Sequence, residues 1–420
     1  MPRVNAFQRT RLGFALAALS LCATSALAAP AACERREVSE DQAWALHSKL
    51  LTLDTHIDLG RGYASHTLDP GRFTRAQNDL PKMRAGGLDA AFLIIYTGQA
   101  KVDGEGYAAA RANAEDDFRR IQRLVRAYPD QVALARSADE VVELHRQGRI
   151  AVLLGMENAY PLGDSVADVG LWAERGVRYV GLTHMGHNQF GGSSNPNAEL
   201  GDGTEDAGLT ELGRELVRSL NDHGVLVDIS HVGKRSMMEA TRLSRAPVIA
   251  SHSGASGVYA NARNLDDEQL DAIRENGGVA QMVAFRSYVA EVDPALAAGI
   301  AALRSVYIGN GWDAASDADI EAYAAGVAAL RAKHPDVTLA QFVDHIDHAV
   351  RRIGIEHVGI ASDFDGGGGV QGWDDASETA NVTRELMARC YSESQIQALW
   401  SGNLLRALRA AEKAKSQAAS

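Results

Sequence analysis

The stretch "LLTLDTHIDL", residues 50–59, is an apolar run that ends in two polar side chains, His56 and Asp58. Side chains two residues apart on a β-strand point to the same face, so the imidazole and the carboxylate would converge on one point. Such a pair is suited to hold a cation. The stretch therefore predicts a buried strand that ends at a binding site.

Seven further apolar runs bounded by Gly, Asn or Asp predict strands at residues 88–97, 150–157, 177–184, 225–231, 247–252, 278–284 and 357–365. Helical patterns lie between them, at residues 107–128, 137–148, 210–224 and 266–277. Eight strand-helix alternations with nearly continuous apolar strands predict an α/β fold, a closed (β/α)₈ TIM-type barrel. An open doubly wound sheet is the alternative, but it normally carries a glycine-rich turn after its first strand, where this chain has His-x-Asp.

Residues 285–356 are too many for a simple connection, and they contain helical patterns at residues 317–334 and 339–354. We interpret this range as a helical insertion before the last strand. No linker of low complexity divides the chain, so residues 34–415 are predicted to form a single domain.

Ionisable residues recur at the ends of six of the eight predicted strands. Each one alone is more often a structural residue than a ligand, but all carboxyl ends of a parallel barrel lie on one rim, where active sites form. The set therefore predicts a metal site. The residues are His56, Asp58, Glu157, His184, His231, His252 and Asp363.

Three histidines and two carboxylates exceed what a single tetrahedral zinc ion takes in a catalytic site. With Glu157 as a bridge, His56 and Asp58 would complete one site, while His231 and His252 would complete a second. Two divalent metal ions are therefore expected, with zinc the best match to these ligands and manganese, cobalt or iron as alternatives. A dinuclear centre of this kind is typical of hydrolases.

The remaining rim residues have expected roles around such a centre. Asp363 would orient the attacking water and carry its proton to the leaving amine, although Asp365 is a competitor on the same face. His184 would donate a hydrogen bond to the developing oxyanion, while His187 is expected to lie outside the site. Arg263 would bind a substrate carboxylate or, equally well from its spacing, form a structural pair.

The chain resembles the membrane (renal) dipeptidase family of the amidohydrolase superfamily. The resemblance runs from about residue 45 to 405 and is carried by "DTHIDL", "GMEN", "LTHMGHN", "VDISHV", "PVIASHS", "ARN" and "SDFDG" in the family's order. One departure is "ENAY", because the family usually has two glycines after the bridging glutamate. This departure predicts an altered loop beside the bridge.

The resemblance implies hydrolysis of dipeptides by two metal ions, with tolerance for a D-residue at the C-terminal position, and often a homodimer. Carried over by position, the first metal would take His56 and Asp58, the bridge would be Glu157, and the second metal would take His231 and His252. His184 and Arg263 would match the substrate-binding residues, and Asp363 the aspartate of strand eight.

Two other functions remain open from the residues. One is another amidohydrolase reaction, such as removal of an acyl group from a D-amino acid or opening of a lactam or lactone. The other is a non-catalytic exported protein that uses a metal-organised pocket to bind peptides. Binding alone would need neither an open metal position nor a proton carrier.

Charge and the N-terminal segment indicate the compartment and exclude one class of partner. The formal net charge is −12, and no basic run suggests nucleic-acid binding. Residues 1–28, with three arginines, an apolar run and Ala26-Leu27-Ala28, predict a secretory signal and hence a periplasmic or secreted enzyme. A membrane anchor is the alternative for that segment, and no other stretch predicts one. Cys33 and Cys390 could form one disulfide.

Overall fold

Nine β-strands of the computed structural model, which describes residues 34–60, 62–309 and 315–418, run parallel in one sheet. They are β1 (Leu53–Ile57), β2 (Ala90–Tyr96), β3 (Val132–Leu134), β4 (Ile150–Glu157), β5 (Val177–Gly181), β6 (Leu226–Asp228), β7 (Ile249–Ser253), β8 (Val279–Val283) and β9 (Val358–Ala361). Eight of them match the eight predicted strands. The additional strand, β3, pairs only with the first three residues of β4.

The main sheet follows the order β1-β2-β4-β5-β6-β7-β8-β9, so each strand of the barrel lies beside the next one along the chain. Its two ends meet where Ile57 bridges Phe364. Here the Asp363 amide donates to the His56 carbonyl at 3.0 Å, and the Asp58 amide donates to the Phe364 carbonyl at 2.9 Å. The predicted (β/α)₈ barrel is thereby confirmed.

Helices separate most of the strands, and six of them match the helical patterns that the sequence predicts at residues 107–128, 137–148, 210–224, 266–277, 317–334 and 339–354. The α-helices of the described residues are α1 (Glu40–His47), α2 (Leu80–Gly86), α3 (Gly104–Ala127), α4 (Ala138–Arg146), α5 (Val169–Arg175), α6 (Glu211–His223), α7 (Lys234–Leu243), α8 (Asp267–Asn276), α9 (Arg286–Val289), α10 (Pro294–Tyr307), α11 (Asp317–Arg331), α12 (Leu339–Ile353), α13 (Ala380–Ala388), α14 (Glu393–Gln397) and α15 (Asn403–Ala418).

Local hydrogen bonds explain why these helices begin and end where they do. The side chains of Asp103, Ser137 and Thr210 each accept a backbone N–H in the first turn of α3, α4 and α6. Gly224 and Gly277 end α6 and α8 in the left-handed conformation, which glycine adopts without steric cost.

The apolar core has two layers, one between the strands and the surrounding helices and one inside the barrel. Alternate strand residues such as Ala91, Leu93 and Val152 belong to the layer under the surrounding helices, while Phe92 and Leu153 belong to the inner layer. Helix α15 contributes Leu404, Leu408 and neighbouring residues to that inner layer, and it contacts β6, β8 and β9. The carboxyl ends of the strands carry the residues that were predicted to form the site.

The predicted helical insertion before the last strand is present as α9–α12, between β8 and β9. Helices α10 and α11 pack closely against each other, because Gly299 and Gly326 leave room for leucine side chains of the opposite helix. Ion pairs from Arg286 and Arg331 to Asp336 hold the base of this hairpin.

The predicted signal, residues 1–28, and Cys33 lie outside the described residues. Cys390 is disulfide-bonded, and its Sγ lies 3.8 Å from the carbonyl oxygen of Glu34. Across the described part of the chain, no helix combines the length and the apolar character needed to cross a bilayer.

Candidate metal centre

Four of the predicted site residues lie on loops just beyond the strands rather than on them. Asp58 directly follows β1, which ends at Ile57. Strands β5, β6 and β9 end three or four residues earlier than predicted, before His184, His231 and Asp363. The backbone of His231 has φ 65° and that of Asp363 has φ 59°, and neither value is compatible with a continuing strand. The loops turn these side chains over the open end of the barrel.

Glu157, the last residue of β4, lies at the centre of the cluster. Its Oε2 is 3.5 Å from Nε2 of His56, while its Oε1 is 2.9 Å from Nε2 of His231 and 3.4 Å from Nε2 of His252. His184 Nε2 lies 3.7 Å from the same Oε1. The two oxygens of one carboxylate thus face different groups of histidines.

His56 and Asp58 converge as the strand periodicity predicts, with Nε2 and Oδ2 3.4 Å apart. Asp363 joins them, because one ligand atom of each of the three residues lies within 4.8 Å of the others. Gly366 makes this approach sterically feasible. A Cβ at that position would lie 2.2 Å from Asp58 Oδ2 and 2.3 Å from Asp363 Oδ1.

Burial and neighbouring charges set the protonation of the cluster. Burial, together with the charge of Arg263 or His56, lowers the pKa of His231 and of His252 well below the usual range, which leaves both rings neutral. Burial opposes the charged form of His56 as well, but Glu157 and Asp58 outweigh it and hold that pKa well above its usual range. The carboxylates therefore favour positive charge at the centre of the cluster, which a proton on His56 or a bound cation can supply.

The donor atoms fit divalent metal ions. His56 Nε2 is buried and has no hydrogen-bond partner, and the Nε2 atoms of His231 and His252 face each other at 2.9 Å. Neutral imidazole nitrogens and carboxylate oxygens are the ligands that zinc and related ions take. Three overlapping triads bring such atoms within 4.8 Å: His56, Glu157 and His252; Glu157, His184 and His231; His56, Asp58 and Asp363.

Asp363 and Asp365, which strand alternation could not separate, have different surroundings. Asp365 accepts hydrogen bonds from the backbone amides of Gln77 and Asn78 at 2.9 and 3.2 Å. It therefore anchors the loop that follows β1. Asp363 faces His56 and Asp58 instead, which makes it the candidate proton carrier.

His184 and Arg263 border the cluster on the side of His231 and His252. The His184 ring lies 4.3 Å from the His231 ring, centroid to centroid. Arg263 is 3% exposed, and its Nη2 donates to the backbone carbonyl of His252 at 2.9 Å. Its Nε is buried without a hydrogen-bond partner, and among the described residues the guanidinium pairs with no carboxylate. The guanidinium group is therefore a candidate for binding a carboxylate.

His187 lies outside the cluster, as expected. Its Nδ1 accepts a hydrogen bond from the Ser193 amide at 2.9 Å, and its Nε2 lies 3.1 Å from the carbonyl oxygen of Gly203. These contacts hold the loop after β5.

Buried polar residues beneath the cluster were not predicted from the sequence. Asp228 Oδ1 accepts the amides of Ser230 and Ser251 at 3.0 and 2.9 Å, and Asp54 Oδ1 accepts the amides of His56 and Ser362 at 3.1 Å each. Both aspartates could have been found from the sequence, because each is an acidic residue inside an apolar strand. Tyr179, whose hydroxyl group lies beside His56, could not, because a tyrosine in an apolar strand is not unusual.

Comparisons with known proteins point to one family. The family profile described as membrane dipeptidase, peptidase family M19, matches residues 40–420, a range that includes every residue of the cluster. Dipeptidase tcpJ of Claviceps purpurea is 31% identical over 339 residues, which are 80% of this chain and 69% of that protein. The crystal structure of the probable dipeptidase PvdM from Pseudomonas aeruginosa is similar at a TM-score of 0.78 and 33% identity, covering 89% of this chain and 98% of the other. A Rhodobacter sphaeroides metallopeptidase, liganded with a phosphinate mimic of L-Ala-D-Ala, shares the fold at a TM-score of 0.67 and 24% identity, covering 86% and 99%.

Proposed function

The chain belongs to the membrane dipeptidase family, and we propose that it is an exported dipeptidase that uses two divalent metal ions, zinc best matching the donor set, to hydrolyse dipeptides. One observation carries the proposal: Glu157 turns Oε2 toward His56 and Oε1 toward His231 and His252. A carboxylate in this arrangement can serve two ions at once.

The residues divide naturally into two ligand groups. His56 and Asp58 would hold one ion, His231 and His252 would hold the other, and Glu157 would be shared. Bound divalent ions would supply Lewis acidity and would lower the pKa of a water molecule toward neutrality.

The protein's own groups would carry out the remaining tasks. Arg263 would bind the C-terminal carboxylate of the dipeptide through its guanidinium group, which lies beside His252, and thereby orient the peptide bond. Burial lowers the pKa of His184, so its neutral ring can donate a hydrogen bond to the carbonyl oxygen as negative charge develops there.

Asp363 would transfer the proton. It accepts the proton of the water that attacks the carbonyl carbon and delivers it to the amine as the carbon–nitrogen bond breaks. Burial raises the pKa of Asp363 well above its usual range, and the nearby Asp58 and Glu157 carboxylates add to this effect against the opposing charges of His56 and Arg263. Its position beside His56 and Asp58 lets it exchange a proton with a water molecule at the centre of the cluster.

The test combines metal analysis with an assay of released amino acids. Purified protein is expected to contain about two equivalents of divalent metal and to release alanine from L-Ala-L-Ala and L-Ala-D-Ala. Both reactions should be inhibited by a chelator. Hydrolysis of L-Ala-D-Ala would support the proposed tolerance for a D-residue, and the N-acetyl derivative serves as the control for a free amino group.

Other outcomes would favour other functions. Metal-replete protein that leaves dipeptides intact but cleaves N-acyl amino acids or lactones would favour another amidohydrolase activity. Tight binding of dipeptides without turnover would favour a peptide-binding protein.

Export is proposed from residues 1–28 and is supported by the disulfide at Cys390, because structural disulfides persist in oxidising compartments. Cell fractionation, with N-terminal sequencing of the recovered protein, would test both export and cleavage after Ala28. The family resemblance also implies a homodimer, which light scattering would test.

A further inference from the structure

Tyr179 crosses the inside of the barrel from β5 to β1, three positions away in the strand order. Its ring lies 4.9 Å from that of Phe92, and it passes directly over Gly155 of β4. A Cβ on Gly155 would lie 2.3 Å from Tyr179 Cζ. The absence of a side chain at Gly155 thus leaves room for the Tyr179 ring, which is fully buried.

The hydroxyl group of Tyr179 ends at His56. It lies 2.9 Å from His56 Nδ1 and 3.1 Å from the backbone carbonyl oxygen of Thr55. A carbonyl oxygen can only accept, so the single hydroxyl proton goes to Thr55 and the Tyr179 oxygen accepts the proton of His56 Nδ1. His56 Nε2 is then left to face Glu157 and Asp58.

A second series of hydrogen bonds, arranged in the same way, ends at His252. Ser251 Oγ donates to Asp228 Oδ2 at 2.7 Å and lies 2.8 Å from His252 Nδ1. Since the hydroxyl proton is used on Asp228, the Ser251 oxygen accepts the proton of His252 Nδ1. By contrast, His231 Nδ1 has no hydrogen-bond partner in the part of the chain that is described.

We propose that Tyr179 and Ser251 are positioning residues, which hold His56 and His252 in the tautomer that turns an unprotonated Nε2 toward the metal. The proposal rests on the proposed function, because it assumes that these two histidines bind metal. It adds that one ligand in each of the two proposed groups is oriented by a buried hydroxyl group, while His231 is not.

The test measures zinc affinity rather than turnover. In a competition titration against a chromogenic chelator, Tyr179→Phe and Ser251→Ala should each weaken zinc binding about 10- to 100-fold, the usual effect of removing a partner that orients a metal ligand. The cobalt-loaded variants should also show altered visible absorption, because the geometry around the ion has changed.

Matched substitutions elsewhere separate orientation from general stability. Tyr391→Phe removes a buried tyrosine hydroxyl that donates to Asp347 at 2.7 Å, and Ser236→Ala removes a buried serine hydroxyl that donates to Asp206 at 2.6 Å. Both controls should keep wild-type zinc affinity, even where their metal-free melting temperatures fall as much as those of the test variants.

The outcomes distinguish the inference from the proposed function. Wild-type affinity in both Tyr179→Phe and Ser251→Ala would overturn the inference and leave the dipeptidase proposal intact. Wild-type protein that binds no zinc or other divalent ion would overturn both. If one test variant does not fold, the zinc affinity of the other decides whether the inference holds, because Tyr179 and Ser251 contact different histidines.

Discussion

Four polar residues at the rim of the barrel adopt the left-handed backbone conformation although none of them is glycine. They are Asn158, His231, Asp363 and Asp365, with φ between 59° and 70°. Asparagine and aspartate tolerate this conformation better than most residues. Asn158 stands where the resemblance to the family leads us to expect glycine, and its side chain donates to the Thr97 carbonyl at 3.0 Å. The sharp turn beside Glu157 is therefore formed without the glycine.

At the residue scale, Asp363→Asn isolates the proton carrier from the metal ligands. We expect turnover of a dipeptide to fall by roughly 10² to 10⁴, the contribution of a positioned acid-base group. Metal content should not change, because the carboxylate is assigned to proton transfer. Steady-state kinetics and elemental analysis on the same preparation measure both quantities.

The control for this substitution is Asp365→Asn. Asp365 anchors the loop after β1 through Gln77 and Asn78, so its variant should lose stability but keep most of its turnover. Loss of metal from Asp363→Asn would contradict the assigned role.

The residues of the cluster could be predicted because each one ends or follows a strand that is recognisable in the sequence as an apolar run. His56 and Asp58 are the clearest case, since two positions on a strand determine their shared direction. Tyr179 could not be predicted, because its contact with His56 joins residues 123 positions apart across the barrel. Only the closed sheet brings those two side chains together.

At the element scale, α3 carries a buried carboxylate that faces the barrel. Asp117 has a side chain 11% exposed, and Arg120 Nη1 lies 3.7 Å from its Oδ1. Burial raises the pKa of Asp117 to about 7, against the opposing charge of Arg120 and with a contribution from Asp58. The unfolded chain would have the ordinary value of about 3.9.

This difference predicts a pH-dependent effect on stability. The folded state binds the Asp117 proton more tightly than the unfolded state, so this contribution is complete below about pH 4 and is lost as the pH rises through about 7. Asp117→Asn removes the titration. Relative to wild type, the variant should therefore gain on the order of 1 to 3 kcal/mol in free energy of unfolding between pH 5 and pH 8.

Urea unfolding of both proteins at the two pH values measures this gain. Glu105→Gln, which changes an exposed carboxylate in the first turn of the same helix, is the control and should show the same difference from wild type at each pH. A difference between Asp117→Asn and wild type that does not change with pH would refute the role assigned to burial.

Elements were predictable where local chemistry marks their ends. Ser137 and Thr210 mark the starts of α4 and α6, and glycines mark several helix ends. Strand β3 was not predicted, because its three residues are too few to show a periodicity and its pairing with β4 is set by the folded sheet. The ends of β6 and β9 were placed too late, because the left-handed turns at His231 and Asp363 arise from the site rather than from local propensity.

At the scale of the whole molecule, the proposed metal ions would stabilise the folded state, because the unfolded chain does not hold the ligands together. Removing them with a chelator at neutral pH should lower the melting temperature. Binding at 100 times the dissociation constant would correspond to about 2.7 kcal/mol. Differential scanning calorimetry before and after chelation, and after readdition of zinc, measures the change.

Chelator already saturated with zinc is the control and should leave the melting temperature unchanged. An unchanged melting temperature in protein from which elemental analysis shows the metal to be gone would be inconsistent with ions that connect four strands, β1, β4, β6 and β7, through residues on or just after them.

The whole architecture was predictable because eight strand-helix units have few ways to close. What could not be predicted is the pairing of α10 with α11 and the ion pairs of Arg286 and Arg331 at their base. Neither an Ala-rich helix nor an arginine specifies its partner in the sequence.

The closure of the barrel also has a consequence for protein synthesis. Asp54 near the start of the chain accepts the amide of Ser362, 308 residues later, and this junction lies directly under the metal centre. A nascent chain on the ribosome has His56 and Asp58 long before it has Asp363. The candidate centre is complete only when translation has passed the last strand, so a product that terminates before Asp363 lacks the proposed proton carrier from the outset.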